Sequence, residues 1–140
     1  MNSAAYDAFA MQVAAFAAAE GVPVAFPGVT FDTPASGLWL EASWIPNVPL
    51  NYGTANDGPT LERGLAQVNA CDRPGRGIGP ALALAERVRA ALGKGTMFGR
   101  VRVYEKPAIN QLPEEPSRLT ASVTIRWSGF DPVSYTHLRA

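Results

Sequence analysis

The sequence predicts a single α+β domain, with a mainly antiparallel sheet and two helices packed on one of its faces. Two segments place apolar residues at helical spacing, and several others alternate apolar and polar residues as half-buried strands do. The length of 140 residues fits one domain, which buries roughly 68% of its unfolded surface. The predicted order is α-β-β-β-α-β-β over residues 3–131, without an internal repeat.

The first helix begins at Asn2 or Ser3, either of which can cap it, and runs to about Ala19. Gly21 ends it and Pro23 prevents its continuation. Its predicted inward face consists of Tyr6, Phe9, Val13 and Phe16. The opposite face is mostly alanine, which lets a partner approach closely, although an ordinary exposed alanine face is the simpler interpretation.

Three strands are predicted next, over residues 22–26, 38–45 and 60–71. In the second strand, Trp39 falls on the face opposite Leu40, Ala42 and Trp44, where it serves either as an interface anchor or as a plain sheet residue. The third strand is more polar than a central strand should be, so we expect it at or near an edge of the sheet. The runs Asn-Tyr-Gly and Asn-Asp-Gly-Pro predict a loop or open hairpin tip over residues 47–59.

A glycine-rich connection over residues 72–79 leads into the second helix, because Pro80 occupies the first helical position, where proline is best tolerated. This helix runs to about Leu92, and Gly93 ends it. Its predicted inward residues are Leu84, Ala85, Val88 and Leu92.

Two final strands are predicted over residues 98–105 and 119–127, separated by a proline-rich exposed loop over residues 107–116. Residues 132–140 show no pattern. They resemble translated sequencing-adapter read-through, so we interpret them as an unstructured, non-native tail.

The composition disfavours most enzyme chemistry. Cys71 is the single cysteine and His137 the single histidine. Disulfides, multi-cysteine metal sites and Ser-His-Asp or Cys-His constellations all need more than this. We therefore predict no enzymatic activity, no cofactor and no metal. No apolar run reaches the ~20 residues of a membrane span, and no basic n-region precedes the alanine-rich start, so we expect a soluble chain without a membrane partner.

Charge is distributed unevenly along the chain. Residues 1–62 carry six acidic and no basic residues, whereas residues 63–140 carry all twelve Lys and Arg against six acids. One interpretation is a polar subunit whose acidic surface meets the basic surface of a neighbour. The other is that the two halves interleave in one fold and the charges mix.

Two motifs suggest ligand binding but lack the full pattern. The run Gly75-x-Gly77-x-Gly79 precedes a helix, yet it has neither dinucleotide-site spacing nor the Gly-Lys-Ser/Thr of a phosphate loop. Anion binding at this helix start remains an alternative. A basic set could form a nucleic-acid patch, but the zero net charge favours a solvated face or a salt-bridged interface. That set consists of Arg87, Arg89, Arg100 and Arg102.

The segments QVNAC (67–71), RPGRGIGP (73–80) and ALALAERV (81–88) together resemble the tail terminator and tail completion proteins of long-tailed phages with non-contractile tails. LWLEASW (38–44), the closing strand 118–127 and the alanine-rich first helix are similar to that family too. The resemblance covers residues 3–128 and implies a structural virion protein, made in the host cytoplasm and placed at the head-proximal end of the tail.

The resemblance further implies a ring, typically hexameric, that stops polymerisation of the tail tube and joins the head connector. The implied partners are other copies of the chain, the tail tube protein and a head-completion or connector protein, with no specific nucleic acid. We expect the interfaces around residues 47–60 and 73–79. The candidate interface residues are Trp39, Asn47, Tyr52, Asn56, Asp57, Arg73, Arg76, Arg87 and Arg89. Two alternatives stay open: a connector or minor tail protein that binds a preformed ring, and a small anion-binding module using residues 75–80.

Overall fold

The computed structural model describes residues 2–51 and 60–131. In this part of the chain, the helices are α1 (Asn2–Glu20) and α2 (Gly79–Ala91). The strands are β1 (Val24–Ala25), β2 (Trp39–Pro46), β3 (Leu50–Asn51), β4 (Thr60–Asp72), β5 (Met97–Phe98), β6 (Val101–Val103), β7 (Ala108–Gln111) and β8 (Leu119–Asp131). The predictions for Tyr52, Asn56, Asp57 and residues 132–140 lie outside the described residues. The predicted α+β class and order of main elements are confirmed.

The strands form one sheet in the order β1-β2-β4-β8-β6-β5, with β3 added to β4 and β7 added to β8. Every pair is antiparallel except β1 with β2. The central pair, β4 with β8, keeps an unbroken register from Thr60 opposite Asp131 to Asp72 opposite Leu119. This long ladder is the rigid centre of the fold.

The prediction that residues 60–71 lie at or near an edge is wrong, because β4 lies between β2 and β8. Along β4, Ala66, Val68 and Ala70 are buried in the core, whereas Gln67 and Asn69 are half-buried on the other face. The polar residues of this strand therefore indicate a wet sheet face, since side chains alternate between the two faces of a strand.

Both helices pack on one face of the sheet, as predicted. Phe9 and Val13 of α1 are fully buried, and Tyr6 and Phe16 pack partly buried against the same core. Every predicted inward residue of the second helix is also buried. Gly21, at φ 70°, ends α1 in the left-handed conformation that glycine adopts without steric cost. Neither helix within the described residues is long and apolar enough to cross a membrane.

Two later segments differ in detail from the predicted strands. Residues 98–105 divide into the β5–β6 hairpin at Gly99, whose φ is 62°. The predicted loop over 107–116 contains β7, in which Ile109 pairs with Val123 and packs on the core. Because β7 has four residues and one apolar side chain that packs inward, its alternation is too short to be recognised in the sequence.

Candidate assembly surface

The face of the sheet opposite the helices, which we call the open face, is built from the alternate residues of the central strands. Strand register places Ile45, Leu65 and Arg126 in one row across β2, β4 and β8. The neighbouring row contains Arg63 and Ser128 on β4 and β8, with Arg102 on β6. Most of these side chains are half-buried or exposed, so the described part of the chain leaves this face largely accessible.

Apolar side chains concentrate where β3 joins the start of β4 and the end of β8. Leu50, Leu61 and Phe130 are register partners there, and Phe130 is 59% exposed. Ile45 lies nearby on β2 and is 43% exposed. Singly exposed apolar residues are ordinary, but several on one face are typical of a surface that contacts another protein.

Arginines border this apolar end. Arg63 Nε donates a hydrogen bond to the Val48 carbonyl at 3.1 Å, and Arg126 Nε lies 2.8 Å from Glu105 Oε1. Arg102 is exposed and, within residues 2–51 and 60–131, makes no ion pair. The strand residues of the open face thus carry a positive charge in this region. A shallow cleft with an accessible volume of about 200 Å³ lies between Arg63, Arg126 and Asn47.

Trp39 was expected on the wetter face of its strand, as an interface anchor or as a plain sheet residue. It lies on the open face, opposite Cys71, but its side chain is fully buried. The guanidinium of Arg73 lies 5.2 Å from the centroid of the Trp39 ring. Arg73 also donates hydrogen bonds to the carbonyls of Pro34 at 2.9 Å and Ser117 at 3.0 Å. Trp39 is therefore sealed within one chain rather than presented to a partner.

An ion pair adjoins this sealed end of the open face. Arg118 Nη1 lies 2.6 Å from Glu41 Oε2, and the same guanidinium contacts Glu115 at 3.2 Å. Burial lowers the pKa of the Arg118 guanidinium, but the hydrogen bond to Glu41 and the negative charges of Glu41 and Glu115 together outweigh it, so the pKa is raised. Burial, together with the negative charge of Glu41, raises the pKa of the Cys71 thiol to about 12. The thiol is consequently protonated and unreactive at neutral pH.

The glycine-rich turn is held by contacts within the chain. Arg76 Nη2 donates to both carboxylate oxygens of buried Asp72, at 3.1 and 3.0 Å. The hollow beside Gly75 and Gly77 has an accessible volume of about 270 Å³ and is lined in part by Glu114. Arg73 and Arg76, the interface candidates in this turn, thus bind groups of their own chain, and neither of them lines the hollow.

The remaining candidate residues lie apart from one another. Asn47 is exposed at the end of β2, where its Oδ1 accepts a hydrogen bond from the Val48 N–H at 2.8 Å. Arg87, on α2, pairs with Glu20 of α1 at 2.8 Å. Arg89 is half-buried in the last turn of α2. The structure therefore does not bring the predicted interface residues into one site.

Sequence reasoning missed Arg63 and Arg126 as neighbours on one face. Their signal was available in the alternation of the closing strand, where Arg126 falls on the polar side between Thr124 and Ser128. The position of Arg63 beside Arg126 follows from the register between β4 and β8, which the sequence does not reveal.

A second surface lies on the far side of the helix layer. Met11 of α1 is 73% exposed, and Ala14, Ala15, Ala18 and Ala19 are exposed on the same helix. The helix contains Asp7 and Glu20 but no Lys or Arg. Its outward surface therefore consists mostly of small apolar side chains and is weakly acidic.

Within residues 2–51 and 60–131, the fold is an α+β domain whose sheet is covered by helices on one side only. A sequence model described as "Phage tail terminator protein" matches residues 4–127. The chain therefore belongs to the phage tail terminator family and is a structural component of a phage tail.

One solved structure, named only by a sequence identifier, is similar in fold to this chain. It superposes with a TM-score of 0.76 at 24% sequence identity, over 92% of this chain and 95% of that one. No curated protein sequence matches the chain. The structural similarity supports the fold, and the assignment to a phage tail comes from the family match.

Proposed function

We propose that this protein closes a ring on the head-proximal end of a phage tail tube, stops further tube polymerisation, and provides the joint to the head connector. Membership of the tail terminator family is the observation that carries the proposal. A ring with six copies is the form that the resemblance implies. The open face supports self-assembly, because it leaves apolar residues such as Ile45 and Phe130 exposed beside arginines.

A ring of identical subunits needs two unlike surfaces on each subunit. A head-to-tail contact joins one surface of a subunit to a different surface of the next, and it closes when the rotation per subunit divides a full turn. This subunit has a basic open face on one side of its sheet and a weakly acidic helix layer on the other. Such a subunit can repeat one contact around a ring and leave both axial ends of the ring for the tube and the connector.

The alternatives gain no specific support from the described residues. Anion binding at the glycine-rich turn would draw on Arg73 and Arg76, and both make hydrogen bonds within the chain. A connector or minor tail protein would share the virion but bind a ring that another protein forms. Only the capping of a tube separates that role from termination.

The decisive experiment polymerises purified tail tube protein from the same phage, with and without the full-length chain. Negative-stain images should show shorter tubes that carry a ring-shaped density at one end. The effect should saturate when each tube end has received one ring. Tubes that keep their length and carry no density at their ends, even with the chain in excess over tube ends, would overturn the proposal. An oligomeric chain that binds along the tube wall would overturn it as well.

A further inference from the structure

We propose that the open face of one subunit receives helix α1 of the next copy, so that each sheet has its own helices on one side and a neighbour's helix on the other. This inference rests on the proposed ring and names its contact surface. The open face consists of the outward residues of β2, β4 and β8, with Arg102 on β6. The helix surface centres on Met11.

Position is the first argument. Helix α1 packs its buried residues, including Phe9 and Val13, against the inner face of the sheet. Its exposed residues therefore point away from the sheet, on the side of the subunit opposite the open face. Two unlike surfaces on opposite sides of one subunit are the arrangement that a repeating head-to-tail contact requires. An isologous contact, by contrast, would pair a surface with itself.

Composition is the second argument. Helix α1 is apolar almost all round, since its exposed positions are mostly alanine with Met11 between them. A helix of this kind is ordinarily buried on more than one side. The open face offers the larger side chains that can pack on such a smooth surface. Ile45 and Leu65 share one row, and Leu50 lies in the row beyond Arg63.

Charge is the third argument, and it selects a second copy as the occupant. Among the strand residues of the open face, Glu41 pairs with Arg118 and Arg126 pairs with Glu105. Arg63 and Arg102 make no ion pair within the described residues, so this face keeps a positive charge. Helix α1 carries acids and no basic residue. Asp7 is exposed on it and makes no ion pair within the described residues. Opposite charge on the two surfaces favours this pairing over either surface with itself, since like charges placed together destabilise a contact.

The uneven distribution of charge along the sequence is consistent with this arrangement. Two ion pairs join the acidic first half to the basic second half within one chain, Glu20 with Arg87 and Glu41 with Arg118. Asp7 and Arg102 are among the charged residues that make no ion pair within the described residues, and one lies on each of the two proposed surfaces. In the assembly, these two residues would lie on surfaces that face each other across the contact between two subunits.

Site-specific photo-cross-linking tests the contact directly. Met11 is replaced by benzoylphenylalanine in the full-length chain, and cross-linked dimers are digested and sequenced by mass spectrometry. We expect the partner peptides to come from residues 39–46, 61–71 or 119–130 of a second copy. The same photoreactive residue at Lys94, which lies beside Arg102 on the receiving side, is the reciprocal control. It should label helix α1 of a second copy and not those strands.

Charge exchange tests the electrostatic part of the contact. Asp7→Lys and Arg102→Glu should each weaken self-association by about tenfold, which is within the usual effect of interface charges. The double variant should regain most of that loss. Glu114→Lys, an acid reversal at the end of the sheet near Gly77, is the matched control and should leave association unchanged.

The outcomes separate the two proposals. If the chain forms rings but Met11 cross-links to strands or loops outside the open face, this contact is wrong and the proposed function stands. If single reversals weaken assembly and the double variant weakens it further, the pairing of the two surfaces is again wrong. If the chain stays monomeric at every concentration and with tail tube protein present, both proposals fall.

Discussion

The indole rings of Trp44 and Trp127 stack with their centroids 4.4 Å apart and their planes inclined by 8°. Trp44 lies near the end of β2 and Trp127 near the end of β8, and β4 separates the two strands. The stack spans β4 because Gly64 leaves room above its backbone. Phe9 of α1 and Phe98 of β5 complete the cluster, with centroids 5.3 and 6.0 Å from Trp44. This aromatic cluster fixes the helix layer to the sheet.

The stack gives the first prediction. Trp44→Phe should lower the free energy of unfolding by about 1 kcal/mol, the usual value of an aromatic pair beyond its buried area. The loss stays small because Trp44 Nε1 is buried without a hydrogen-bond partner, so phenylalanine removes an unsatisfied donor. Circular dichroism provides the direct check, since stacked indoles couple their transitions into a paired signal. That signal should vanish in the variant, and its persistence would show that the two indoles are not stacked in solution.

Gly64 gives the second prediction. A Cβ at this position would lie 2.5 Å from both the Ile45 carbonyl oxygen and Trp127 Cζ2. Gly64→Ala should therefore destabilise the fold by about 1–3 kcal/mol, as overpacking of a close-packed core does. Urea denaturation followed by tryptophan fluorescence measures the change.

Gly79 provides the matched control for this variant. A Cβ there meets nothing within 4 Å, and the residue opens α2. Gly79→Ala should be neutral or stabilise by up to about 1 kcal/mol, because alanine has less conformational freedom to lose on folding. Equal effects of the two substitutions would contradict the geometry around Trp127.

The sequence predicted the parts of this fold that local periodicity determines. The buried faces of both helices and the alternation of residues 119–127 follow from spacing alone, because a helix repeats every 3.6 residues and a strand every two. The central place of β4 could not be predicted, since a strand with one wet face and a strand at an edge carry the same polar residues. The short β7 was missed because Ile109 is its single inward-packing apolar residue.

The interface residues were harder to predict for a related reason. Arg73 and Arg76 flank Pro74 and Gly75 in a turn, which is typical of an exposed contact. Whether an arginine there faces a partner or its own chain depends on residues far away in sequence. Arg73 contacts Pro34 and Ser117, which lie 39 and 44 residues away, and no local pattern encodes these distances.

Arg73 gives the third prediction. Arg73→Lys should lower the free energy of unfolding by about 1–2 kcal/mol, because an ammonium cannot reproduce the planar fork that reaches two carbonyls and stacks on Trp39. Arg87→Lys is the control, since Arg87 is exposed and an exposed ion pair contributes at most about 1 kcal/mol. Thermal unfolding of both variants makes the comparison. A cost at Arg87 equal to or larger than the cost at Arg73 would contradict the buried arrangement around Trp39.

Cys71 gives the fourth prediction, which concerns pH. Burial raises the pKa of its thiol from 9.0 to about 12, so between these values the unfolded chain loses a proton that the folded chain keeps. The free energy of unfolding is therefore unaffected by this thiol below about pH 9, and it decreases as the pH rises towards 12. At pH 10.5 the loss should be about 2 kcal/mol. Other groups titrate in this range too, so the measured quantity is the difference between the natural chain and Cys71→Ala.

The comparison uses urea denaturation at pH 8 and pH 10.5. Cys71→Ala lowers the free energy of unfolding by the same amount at both pH values, because the sulfur is missing at each. This amount therefore cancels when the change between pH 8 and pH 10.5 is compared. The natural chain should lose more stability than the variant between the two pH values, and its thiol should react with Ellman's reagent at pH 8 only after unfolding. Parallel losses in the two proteins, together with a thiol that reacts rapidly in the folded state, would show that Cys71 is not held protonated beneath the Glu41–Arg118 pair.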